Sequence, residues 1–84
     1  MKTVNDIAKA ILALKQEYYR ADEMRIQINK HLVKLIMLEC SIKPADDWEP
    51  KDGENVGLLF GVPVFVSYSI DDFIVMGSHH PSRQ

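Results

Sequence analysis

From Lys2 to Lys43 the chain has neither Gly nor Pro, and its apolar residues recur at alternating spacings of three and four. Val4, Ile7, Ile11, Leu14, Tyr18, Ala21, Ile28, Leu32, Leu35 and Ile42 fall on one seam of a seven-residue repeat, broken only by Arg25 and Glu39. Heptads sustained over this length read as a coiled coil rather than as a generic amphipathic helix. Thr3 stands three residues before Asp6, an approximate capping box that starts the helix, and Pro44 ends it. The pattern therefore predicts one long helix over about 4–42, with a helical hairpin folded near Tyr18–Glu23 as the alternative. A straight helix from Asn5 to Cys40 is about 54 Å long, whereas a compact chain of this size is roughly 25–30 Å across. The mismatch predicts a helix that pairs with a second copy through Ile7, Ile11, Leu14, Tyr18, Ala21, Arg25, Ile28, Leu32 and Leu35. Arg25 at a core position of the repeat is the kind of polar insertion that sets register.

The pattern changes after residue 43. Residues 44–55, PADDWEPKDGEN, read as an acidic loop with turn chemistry at Pro50, Asp52 and Gly53. Beyond it, Val62, Val64, Val66, Tyr68 and Ile70 alternate with Pro63, Phe65, Ser67 and Ser69, the period of a strand. Asp71-Asp72 gives a turn, Phe73–Met76 a second strand closed by Gly77, and Leu58–Phe60 a short third one. Pro63 cannot donate to a ladder, which places its strand at an edge. Both faces of Val62–Phe65 are apolar, so the hairpin needs cover on two sides: its own helix, and a second subunit or partner. The last third of the helical segment, HLVKLIMLECSI, is apolar on more than one face and is where these strands should dock. The expected fold is α+β in one domain, residues 1–84. An N-terminal helix precedes a small antiparallel sheet over about 57–77, and residues 78–84 form a tail.

The segment LLFGVPVFVSYSIDDFIVMG resembles a strand-turn-strand element found in major capsid proteins of tailed phages and in small phage proteins. Leu59, Phe60, Gly61, Pro63, Val64, Val66, Ser67, Ile70 and Gly77 carry the resemblance; Asp71-Asp72 stands where those proteins carry Pro or Gly. The resemblance implies phage or prophage origin and a role in the virion or its assembly; separately, the single cysteine and an N-terminus without the charged-then-apolar plan of a signal peptide predict an intracellular place, in the host cytoplasm or in the particle. It brings no catalytic residues with it.

Charge and candidate chemistry add little. Residues 1–43 hold eight Lys or Arg against five Asp or Glu, and residues 44–84 hold two against seven. The net charge of -2 does not favour nucleic acid, and the basic residues are dispersed among acids. No apolar run approaches the roughly 18 residues of a membrane span. Cys40 is the one cysteine, expected as a small buried hydrophobe. His79 and His80 with Asp71 and Asp72 are the one conceivable metal set, weak against the geometry such a site demands. There is no GxGxxG and no P-loop, so no cofactor is expected. The expectation is a non-enzymatic protein that forms a homo-oligomer and binds another protein, either a virion component or a host target. In the alternative form it is a phage-encoded inhibitor of a host enzyme or defence system. Trp48, Phe60, Val62, Val64, Phe65 and Phe73 are the candidate contacts of its loop and sheet.

Overall fold

A computed structural model describes residues 2–77. They form helix α1 (Lys2–Gln16), a 3-10 turn (Ala21–Glu23), strand β1 (Met24–Ile28), helix α2 (Lys30–Glu39), and strands β2 (Asn55–Leu59), β3 (Val62–Val66) and β4 (Phe73–Gly77). The class is α+β, as the sequence indicates, but helices and strands interleave. The continuous helix over 4–42 is therefore replaced by helix, strand and helix.

The helix breaks at Tyr18, whose φ of 70° lies in the left-handed region. The Tyr18 N–H donates to the Lys15 carbonyl and the Tyr19 N–H to the Leu14 carbonyl. These are the two bonds of a Schellman ending, built here without the usual glycine. Leu14 and Tyr19, the two residues such an ending brings together, both pack against the core. Thr3 lies inside α1 and does not cap it; the Val4 N–H at that end donates instead to the carboxylate of Glu39, at 3.1 Å.

The next residues, MRIQI, alternate buried and outward positions along β1. The sheet order is β2-β3-β1-β4, with β1 parallel to β3 and antiparallel to β4. The expected antiparallel sheet is thus a mixed one. Moreover, β3 and β4 are not hairpin partners, because β1 lies between them. The hairpin is β2–β3, joined by the two-residue turn Phe60-Gly61. Parallel β1 and β3 require a long crossover, which α2 and β2 supply. Pro63 does not put its strand at an edge: β3 is internal, and its ladder to β1 begins one residue later, at Ile26↔Val64.

Both helices lie on one face of the sheet. Ile7 and Ile11 of α1 and Val33 of α2 close over Met24, Ile26, Ile28, Val62, Val64 and Val66 to form the buried core. Three of the predicted seam residues, Ile7, Ile11 and Ile28, are therefore internal to one chain. Leu14, Ala21 and Leu32 are half-buried around the same core, while Tyr18, Arg25 and Leu35 are exposed. The heptad is not a single surface, and no helix of the described residues carries it.

Asn29 ties the two halves together. Its Oδ1 accepts from the His31 N–H at the start of α2, its Nδ2 donates to the Ile70 carbonyl, and its own N–H donates to the Asp72 carbonyl. One side chain therefore caps a helix and anchors the β3–β4 loop.

Two predictions follow from these junctions. Tyr18→Gly removes an exposed side chain from a left-handed position, so it should raise the free energy of unfolding, read by urea titration, by about 0.5–1 kcal/mol. In a continuous helix the same change would lower stability by about as much. Asn29→Ala should cost about 1–3 kcal/mol, whereas Asn29→Ser, which keeps a cap oxygen and loses the donor to Ile70, should cost less than that.

Candidate functional site: the open face of the sheet

Alternation along each strand determines what the second face of the sheet presents. Where Met24, Ile26 and Ile28 point to the helices, Arg25 and Gln27 point away. The registers Gln27↔Phe65, Gln27↔Ile74, Arg25↔Met76 and Leu58↔Pro63 then place Phe65, Pro63, Ile74, Met76 and Leu58 on this same outward side. The register Asn55↔Phe65 adds Asn55, so five of its eight residues are apolar. Leu58 is 71% exposed and Ile74 43%, and no described element lies over them. The sequence asked for cover on both sides of β3; the chain's own helices supply one.

Arg25 stands at the centre of this face. Its guanidinium lies 4.5 Å from the centroid of the Phe65 ring, a cation–π stack. The ion pairs among the described residues are Arg20–Asp22 and Lys34–Glu49, so Arg25 has no carboxylate partner there. The face is thus apolar with one central positive charge held in place by an aromatic ring.

The hairpin tip adjoins it. Phe60 has φ 55° and Gly61 φ 78°, the pair of left-handed residues that defines a type I′ turn. Asn, Asp or Gly suits the first position; Phe carries the steric cost of a Cβ in that region, about 1–2 kcal/mol. Phe60 is nonetheless half-exposed, so its packing does not explain it.

The other predicted contacts are dispersed. Val62 and Val64 are buried in the chain's own core. Phe73 and Trp48 are half-buried against it, on the helix side of the sheet and in the loop respectively. Cys40 is exposed, contrary to expectation, at the residue where α2 ends. A groove of about 80 Å³ between the end of α2 and β2 is lined by Ile36, Met37, Cys40, Ile42 and Val56 and reaches the core residues Ile7 and Ile26. Leu35, Leu38 and Ile42 also remain exposed, so the second apolar face of this segment is not covered by the strands as expected.

The loop acids have structural uses. Glu49 pairs with Lys34, Asp52 accepts from the Tyr68 N–H, and Glu54 accepts from the Lys51 N–H. Asp71 and Asp72 are exposed, and His79 and His80 lie outside the described residues. Among the described residues no group of three or more His, Cys, Asp or Glu is placed to hold a metal ion, and no helix is long and apolar enough to cross a membrane. No family model, curated protein or solved structure matches this chain.

The outward alternation of MRIQI was the signal for this face that the heptad reading passed over. Arg25, counted as a polar break in a helical seam, is the middle of a strand. Phe60→Asn should keep the I′ turn and raise the free energy of unfolding by about 1 kcal/mol, read by urea titration.

Proposed function

We propose that this protein is a non-enzymatic binding protein that uses the open face of its sheet to hold a second protein. The observation that carries this reading is the face itself: Leu58, Pro63, Phe65, Ile74 and Met76 surround an Arg25 that is stacked on Phe65 and has no carboxylate partner among the described residues. The partner it suits presents an apolar patch with one acidic side chain at its centre. Apolar contact supplies the affinity, and the Arg25 charge, oriented in advance by the ring, supplies register and specificity.

The resemblance of Leu59–Gly77 to a phage capsid element supports a phage or prophage setting, with the partner a component of the particle or of its assembly. The alternative, an inhibitor of a host enzyme or defence system, fits the small size, the acidic C-terminal half and the lack of a catalytic set; Glu49, Asp52 and Glu54 of that half make local contacts, while Asp46, Asp47, Asp71 and Asp72 stay exposed. In either form the protein acts by being bound, and the sheet is the side by which it is held.

A photoreactive phenylalanine analogue at position 65 tests this in cells that carry the corresponding phage genes. It should crosslink to one protein species that is also a component of purified particles. Arg25→Glu should lower the yield about tenfold or more, as expected for loss and reversal of a desolvated charge contact. Equal crosslinking from a probe at the exposed Leu12 of α1, or no effect of Arg25→Glu, contradicts the reading. A crosslinked partner that is absent from particles removes the assembly version alone.

A further inference from the structure

The two edges of the sheet differ in kind. The β2 edge is interrupted by a bulge between Asn55 and Gly57, one of the devices that blunt an edge against further pairing. The β4 edge has no such protection. Its sequence is FIVMG, without charge, proline or bulge, and it runs in unbroken register with β1 over five pairs, Met24↔Gly77 to Ile28↔Phe73. An edge strand of this type is a template for another strand.

The parity of the ladder fixes which groups it offers. The Ser67 N–H donates to the Ile28 carbonyl and the Asn29 N–H to the Asp72 carbonyl. Ile28 and Ile26 therefore spend their backbone groups on β3, and Arg25 and Gln27 theirs on β4. On β4 it follows that Ile74 and Met76 bond to β1, whereas the N–H and C=O of Phe73, Val75 and Gly77 point away from the sheet. No backbone hydrogen bond to these outward groups is found among the described residues.

We infer that β4 pairs antiparallel with β4 of a second copy about a two-fold axis at Val75, joining two four-stranded sheets into one of eight. This register is self-complementary at every position. Phe73, Val75 and Gly77 oppose Gly77, Val75 and Phe73 of the second copy, so all outward N–H and C=O groups meet partners. Ile74 opposes Met76 on the open face, apolar against apolar, with no like charges facing each other. On the helix side the bulk of Phe73 falls opposite a residue with no side chain. The room above Gly77 is taken by the ring of Tyr19, which a Cβ at 77 would overlap, so aromatic rings of the two copies meet there. The two-fold also brings the open faces of the two copies side by side. Self-association by this route is independent of the partner proposed for that face and does not use the helices.

Light scattering across about 1 µM to about 1 mM, a range that includes weak interfaces, should show the mass rising from one chain to two. Val75→Pro removes an N–H that points away from β1, leaving the native ladder its donors. It should weaken the dimer about tenfold or more. Should that variant fail to fold, amide exchange on the unaltered chain decides. The Val75 and Gly77 amides should become protected as concentration rises, while the already bonded amides of Ile74 and Met76 change little. A monomer at all concentrations overturns the inference. So does a dimer whose Val75 and Gly77 amides exchange as fast as in dilute solution, or one that Val75→Pro leaves intact.

Discussion

The double ladder of Met24–Ile28 is the constraint on which the rest of the structure depends. This five-residue strand pairs with β3 on one side and β4 on the other, so both of its hydrogen-bonding edges are used within the chain. Its inward residues, Met24, Ile26 and Ile28, form the floor of the core. Its outward residues, Arg25 and Gln27, define the centre of the open face. Without it, β2–β3 would be an isolated hairpin and β4 a lone strand, neither stable in water. The helices would also lose the surface they pack on. A core of this size leaves a small margin, so the pairing of one short strand decides between a fold and none.

Much of the C-terminal half was legible from its pattern. Val62–Val66, read from its period of two, and Phe73–Met76, read as a short apolar run between a turn and Gly77, are strands, and the Pro- and Asp-rich stretch before them is a loop up to Glu54. What pairs with what was not legible, because parallel pairing between residues 26 and 64 leaves no local signature. The N-terminal half misled for a definable reason. The spacing Ile7, Ile11, Leu14 belongs to the inner face of α1, and Leu32 together with Ile36 belongs to that of α2. The intervening seventeen residues happen to keep the count. Helix ends are usually marked by Gly or Asn; here Tyr18 takes the left-handed position, so YYRADE shows no breaker. The short alternation of MRIQI was present in the sequence, but five residues of period two were outweighed by six heptads of period 3.5.

The same rearrangement relocates the functional surface. A helical seam cannot be the route of self-association when Ile7, Ile11 and Ile28 are internal to the chain. What remains outside includes the exposed apolar side of the α2 segment, the back of the sheet and a strand edge that is unpaired among the described residues. Of the candidate contacts, Phe65 lies on that open face and Phe60 at the hairpin tip beside it, whereas Val62 and Val64 serve the core. Arg25, taken as a flaw in the seam, gains a role once the strand turns it outward and Phe65 holds it. The face and the edge share strand β4, whose Ile74 and Met76 look one way while its free backbone groups look along the sheet. A partner bound on the face and a second copy joined at the edge would therefore be neighbours.

The most direct test is the backbone conformation of residues 20–30, by nuclear Overhauser contacts in solution. Ile26 and Val75 form a pair whose backbone groups point away from each other, an arrangement that brings their Hα atoms close together. A strong Hα–Hα contact between Ile26 and Val75, with sequential strand-type contacts along Met24–Ile28, is the result expected of the central strand. Medium-range helical contacts between residues three apart through Ala21–Ile28, with no contact from Ile26 to residue 64 or 75, would contradict it and restore the continuous helix.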